Sequence, residues 1–249
     1  MGTADIIATF DPISLAEMDG VKLQDRTDTK YVLGASQLPA VLEAMRAHYR
    51  VLEVAGVRGT DYRSLYFDTP DLRHYQDHHN KRTFRVKVRF REYIGSDLHF
   101  LEVKRKTGTG RTDKARMRVK GIPDALTAEQ AEFVRKASGS AATLVPTLWN
   151  HFTRYTFVAK NDPERLTMDL GLRYTDAAGS GELSGIVVAE LKQERADRNS
   201  TFVQIMRGMN IRPSGMSKYC VGMLTLNRPV KHNAFKEVLL KLQRLRKAA

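Results

Sequence analysis

Residues 83–92 read Thr-Phe-Arg-Val-Lys-Val-Arg-Phe-Arg-Glu. An extended chain there sends Arg85, Lys87, Arg89 and Arg91 to one face and Phe84, Val86, Val88 and Phe90 to the other. Residues 100–106 set Glu102, Lys104 and Lys106 against Leu101 and Val103, and residues 114–120 set Lys114, Arg116, Arg118 and Lys120 against Ala115, Met117 and Val119. The chemistry open to such faces is the binding of anions. Like charges side by side destabilise a strand pair, and two cations about 5 Å apart at an effective dielectric of about 20 repel by on the order of 3 kcal/mol before screening. An antiparallel meander of these segments makes a basic wall that a bound polyanion would relieve.

Glu190-Leu-Lys192 repeats the spacing of Glu102-Val-Lys104. Alternate strand positions aim a carboxylate and an ammonium into one cavity, where the first suits a divalent cation and the second a phosphate oxygen. Arg26, Asp28 and Lys30 share one face of the first candidate strand, while Arg154, Arg165 and Lys218 add cations on strand-like segments far along the chain. Closure of a sheet would bring these opposite the wall. Thr107-Gly-Thr-Gly-Arg111 has the glycines of a phosphate loop without its Gly-Lys-Ser/Thr ending, so it reads as a hairpin connection. His74 and His78, with His79 beside them, read as an exposed helical turn, and Cys220 as buried packing. No Ser/His/Asp nucleophile signature or dinucleotide fingerprint is present.

These residues need a scaffold of long strands. Strand-like runs fall near 22–33, 60–68, 83–94, 97–106, 112–120, 150–160, 165–175, 185–195 and 217–227. Helices separate them. Ser36 stands as an N-cap before Leu38, Val41, Leu42 and Met45; Thr127 and Gln130 form a capping box; a further helix follows Ser200 through Phe202, Ile205 and Met206. The segment Ala234–Lys247 is an amphipathic helix expected to pack on the sheet, with a peripheral membrane contact as its second reading.

The 249 residues are 42% hydrophobic, enough for a single domain over 1–249, and their net charge of +13 calls for an acidic partner. A lone cysteine excludes an intrachain disulfide and a cysteine-rich zinc site, which suits the cytoplasm. No run of 18 apolar residues occurs, and Met1–Phe10 lacks the features of a signal peptide. Aromatic residues are not interleaved with the basic faces, so no nucleic-acid partner is expected.

Lys30-Tyr31, Ser64-Leu-Tyr-Phe-Asp-Thr69, Tyr75, Arg85-Val-Lys-Val-Arg89, Leu101-Glu-Val-Lys104, Lys114-Ala-Arg116, Arg154-Tyr-Thr-Phe157, Arg165-Leu-Thr-Met-Asp169, Glu190-Leu-Lys192 and Ser217-Lys-Tyr219 together resemble the VTC-type polyphosphate polymerase domain. The matches run in order from about residue 22 to 227. The resemblance implies an α+β fold of the triphosphate tunnel (CYTH-like) kind, a closed antiparallel β-barrel with flanking helices. It implies phosphate contacts from Lys30, Arg85, Lys87, Arg89, Lys104, Lys114, Arg116, Arg154, Arg165, Lys192 and Lys218, with Ser217 donating a hydrogen bond. Glu190 would hold Mn²⁺ or Mg²⁺, with Glu102 and Asp169 as weaker candidates for that shell or for orienting neighbouring cations. The implied reaction is transfer of the ATP γ-phosphoryl group to inorganic polyphosphate through an open channel. Relatives that hydrolyse triphosphate or cyclise nucleotides open with Glu-x-Glu-x-Lys; here those positions hold Arg26, Asp28 and Lys30, which disfavours those branches. The phosphate-sensing domain and membrane helices of the eukaryotic assemblies are not seen, implying a free-standing, soluble bacterial enzyme. Triphosphate hydrolysis and non-catalytic polyphosphate binding remain the alternatives.

Overall fold

The structure is a computed structural model that describes residues 2–19, 27–108 and 112–248, and in it the alternating segments become neighbours in one large sheet. Its strands are β1 (Asp11–Ile13), β2 (Thr27–Gly34), β3 (Tyr49–Leu52), β4 (Gly59–Asp68), β5 (Arg85–Tyr93), β6 (Leu98–Lys106), β7 (Thr112–Val119), β8 (Val145–Ala159), β9 (Glu164–Asp176), β10 (Gly179–Glu182) and β11 (Ile186–Gln193). The helices are α1 (Thr3–Ala8), α2 (Leu15–Asp19), α3 (Leu38–Met45), α4 (Arg73–His79), α5 (Ala128–Ser138), α6 (Thr201–Gly208), α7 (Lys218–Thr225) and α8 (Lys236–Lys247). Strands follow the order β2-β11-β9-β8-β4-β5-β6-β7, antiparallel throughout, with β10 on β9, β3 on β8 and β1 parallel to β3.

The expected closed barrel is not completed by backbone pairing, because among the described residues β2 and β7 share no ladder. Side chains meet there instead: Lys114 Nζ lies 3.8 Å from Asp28 Oδ2. Arg26 and the rest of the expected start of the first strand lie outside the described residues, as do Gly110 and Arg111 of the hairpin connection.

The period of two sorts each strand into a helix-covered face and a concave face. Outward-facing Leu65, Phe67, Val88, Phe90, Leu101 and Val103 form a core with Val134 of α5. On the other half of the sheet, Leu33, Phe157, Leu166, Met168, Ala189 and Leu191 are covered by α1, α3 and α6. The N-terminus of α5 carries the expected box: Thr127 Oγ1 accepts from Gln130 N at 3.3 Å, and the Gln130 side chain accepts from Thr127 N at 3.0 Å. Thr127→Ala is expected to cost about 1 kcal/mol in urea denaturation; an unchanged midpoint would show that this cap contributes nothing. Ser200 caps α6 as expected, accepting from Val203 N. Ser36 does not cap α3. The helix is preceded by a 3₁₀ turn over Ala35–Gln37, and the Ser36 hydroxyl donates to the carbonyl of Ala248.

Residues 217–227, expected as a strand, form α7 instead. Ser217 Oγ accepts from Cys220 N and starts the helix. Tyr219, Cys220, Val221 and Met223 are all buried, and an apolar run without clear period fits a buried strand or a buried helix equally. The helix lies on the concave side against Tyr66, Leu148 and Tyr174. Position 222 must be glycine, since a Cβ there would stand 2.6 Å from the Tyr174 ring. Helix α8 packs Leu242, Val238 and Leu245 onto the same cluster. No helix among the described residues is long and apolar enough to cross a membrane.

Candidate functional site

The polar side chains of the concave face are organised around carboxylates. Asp169 on β9 accepts from Arg154 Nε at 2.6 Å and Nη2 at 2.7 Å, and from Lys218 Nζ at 2.5 Å. Glu102 on β6 accepts from Arg89 Nε at 2.8 Å, with Arg91 Nη1 3.8 Å away. Glu190 on β11 lies 3.0 Å from Lys192 Nζ and 3.6 Å from Lys30 Nζ. Lys87 Nζ donates to Ser217 Oγ at 3.0 Å, which joins β5 to the N-terminus of α7. Aromatic rings hold the cations from the side: Arg154 sits 5.2 Å from the centroid of Tyr62, Lys218 4.9 Å from that of Phe152, and Arg116 4.9 Å from that of Phe100.

Strand register explains the meeting. Lys30 stands opposite Glu190, Lys192 opposite both Asp28 and Arg165, and Lys87, Lys104 and Lys114 form one row across β5, β6 and β7. The two walls also feel each other. Burial pushes the Glu190 carboxyl up, but Lys192, Lys30, Arg154 and Lys104 together hold it well below the usual carboxylate range. Burial, then Arg89, pushes Lys104 down to about 6, with Glu190 opposing and Lys114 and Lys30 adding to the fall. Lys87 is pushed down to about 8 by burial, aided by Lys30, Arg85 and Arg89. Glu102 is held at about 2, the pull of Arg89 and Arg91 outweighing its burial. Cations from β2, β5, β6, β8, β11 and α7 therefore lie within one another's field on the concave side.

Three further sequence candidates lie on β5, β7 and β9. Arg85 donates to the Arg82 carbonyl at 2.9 Å, Arg116 is exposed, and Arg165 is half-buried on the same face of β9 as Thr167 and Asp169. Arg91 was the residue passed over. It is 7% exposed, its Nε has no hydrogen-bond partner, and its nearest carboxylate is already held by Arg89. A buried guanidinium so poorly matched is costly until an anion arrives. The signal was present in the alternation, as the last cation of the Arg85-Lys87-Arg89 series. The histidine turn is helical but not exposed as expected: His74 and His79 are buried, the latter with Nε2 2.6 Å from Asn233 Oδ1. Residues from the distant C-terminal segment cover it.

Among the described residues no three His, Cys, Asp or Glu side chains gather as metal ligands. Mg²⁺-type ions are nonetheless commonly bound through one or two carboxylates plus substrate phosphates. Glu190 fits that role, its ion pairs among the described residues being with the ammonium groups of Lys192 and Lys30, whereas Glu102 and Asp169 are engaged by guanidinium forks.

The sequence matches the VTC domain over residues 25–227. No curated protein matches the chain. Among solved structures, a Hippeastrum protein described as having a dominant triphosphatase activity is similar at 16% identity and TM-score 0.48, over 79% of this chain and 94% of that one. A Pyrococcus horikoshii protein is similar at 12% identity and TM-score 0.46 over 80% and 96%, and a hypothetical protein of Pyrococcus furiosus at 11% and 0.43 over 79% and 99%. Likenesses this distant bear on neither activity nor substrate. The family match, covering most of the chain and every strand that lines the hollow, is decisive: the chain belongs to the VTC domain family.

Proposed function

We propose that the chain is a metal-dependent phosphoryl-transfer enzyme for triphosphate-like anions, and specifically a polyphosphate polymerase that moves the ATP γ-phosphoryl group onto a polyphosphate end. The reading is supported by the pairing of cations from distant segments with buried carboxylates: Arg154 and Lys218 with Asp169, Lys30 and Lys192 with Glu190, and Arg89 with Glu102. In this reading the sheet wraps the phosphate chain as a tunnel, with Lys114 and Asp28 as its closing contact. The phosphates are gripped by Lys30, Arg85, Lys87, Arg89, Arg91, Lys104, Lys114, Arg116, Arg154, Arg165, Lys192 and Lys218, and Ser217 adds a hydrogen bond.

Phosphoryl transfer passes through a loose transition state, so fixed positive charge along the line of attack does most of the work. Asp169 holds Arg154 and Lys218 in place before any ligand arrives, and Glu102 does the same for Arg89. Both pairs are thereby preorganised. The acceptor oxygen is already an anion, so no general base is required. A bound Mn²⁺ or Mg²⁺, held by Glu190, would neutralise charge on the phosphate oxygens.

Purified protein incubated with ATP and Mn²⁺ or Mg²⁺, with and without a short polyphosphate primer, should yield long phosphate chains on a gel. No chain growth with either metal would refute the polymerase. The packing of α7 into the concave side favours a second reading, hydrolysis of tripolyphosphate, because it narrows the room for an outgoing chain. Orthophosphate release without polymer would select it. Glu190→Ala is expected to raise the metal concentration for half-maximal activity at least tenfold. Parental metal dependence in that variant removes the assignment.

A further inference from the structure

Helix α4 packs on β5 beside the hollow and carries a histidine to which no role has been given. His78 is half-buried, and its Nδ1 is shut off from solvent without a hydrogen-bond partner. Its neighbours on the helix are turned to other groups. His79 sits between Asn80 and Asn233, and His74 Nδ1 lies 3.7 Å from Asp68. The charges that weigh on His78 come instead from the wall: Lys87 and Arg85 of β5, and Lys30 of β2. From the 3₁₀ turn Asn233–Phe235, the Phe235 ring faces it with centroids 6.0 Å apart and adds apolar cover without charge.

A basic ring placed against cations, with no side-chain acceptor at Nδ1, is poorly matched in the free protein, just as Arg91 is. The charged groups that weigh most on it are all cations. We infer that His78 contacts the bound anion, its ring taking a proton from solvent and donating it in a hydrogen bond to a phosphoryl oxygen beside Lys30, Arg85 and Lys87. This inference rests on the reading of the hollow as a phosphate site. Without ligand, burial and then Lys87 push the imidazole down to about 3, so it is neutral at ordinary pH. An anion reverses the sign of that field, and proton uptake then favours binding at lower pH.

The test follows the histidine resonances of the ¹⁵N- and ¹³C-labelled full chain during titration with tripolyphosphate at pH 6, with sulfate as control. The His78 signal should move from the neutral to the imidazolium position with tripolyphosphate. In parallel, His78→Gln should bind tripolyphosphate roughly tenfold more weakly than the parent at pH 6, the gap closing by pH 8. If the parent binds tripolyphosphate while His78 stays neutral and the affinity ratio is flat across pH, His78 is not a contact and the hollow stands. If the parent does not bind tripolyphosphate at all, the phosphate-site reading itself is overturned. The resonance of the parent protein decides the matter even where the variant folds poorly.

Discussion

Asp169→Ala is expected to lose roughly 3–5 kcal/mol of unfolding free energy, the scale for removing one partner of a buried ion pair. The carboxylate is 2% exposed and serves both Arg154 and Lys218, so its removal strands two cations inside the protein. Asp169→Asn keeps the shape and an acceptor but not the charge, and should fall between the two. Tripolyphosphate ought to stabilise Asp169→Ala more than the parent, since the stranded cations gain a partner. Urea denaturation with and without ligand measures both effects. A loss below about 1 kcal/mol would mean that water already screens the cluster as it does an exposed pair. The arginine and lysine also hold the Asp169 carboxyl far below its usual range, in spite of burial. Its folded value being depressed, this stability is present above the unfolded value of about 3.9 and is lost as pH falls below it.

The second large effect has the opposite slope. Lys104 stands at about 6 and Lys87 at about 8 in the folded protein, against about 10.4 for an unfolded lysine. Between those values the unfolded chain binds more protons, so stability of the free protein rises with pH from about 6 to about 10. Lys104→Met should flatten the lower part of that rise. Tripolyphosphate restores the protons, so binding near pH 7.5 should take up a sizeable fraction of a proton, read as a difference in calorimetric heat between buffers of unlike ionisation enthalpy. A melting temperature indifferent to pH in the free protein, together with buffer-independent heats, would sink the claim that these lysines are squeezed.

Strands β5, β6 and β7 were legible because charge and apolarity alternate at the same period, so side-chain type alone fixed both faces. The Thr127 box and Ser200 cap were legible for the same local reason. Helix α7 was not, because residues 219–223 are apolar on every side and leave no period to read. The burial of His79 depends on Asn233 and Phe235, which no local pattern announces. Which carboxylate serves which cation was equally hidden: Asp169 is fifteen residues from Arg154 and forty-nine from Lys218, and only register and α7 bring them together. The convergence of the walls was expected from closure of the sheet as well as from the resemblance, and contacts such as Lys87 with Ser217 and Lys218 with Asp169 join distant segments on the concave side.

Contact between the rims of the sheet through Lys114 and Asp28 has a consequence for cargo. Parting a partly exposed ion pair costs far less than unzipping a backbone ladder, and added salt lowers that cost further. On the proposed polyphosphate reading, a filament of any length would therefore have a sideways berth, laid in along its flank with neither tip needing to find an opening.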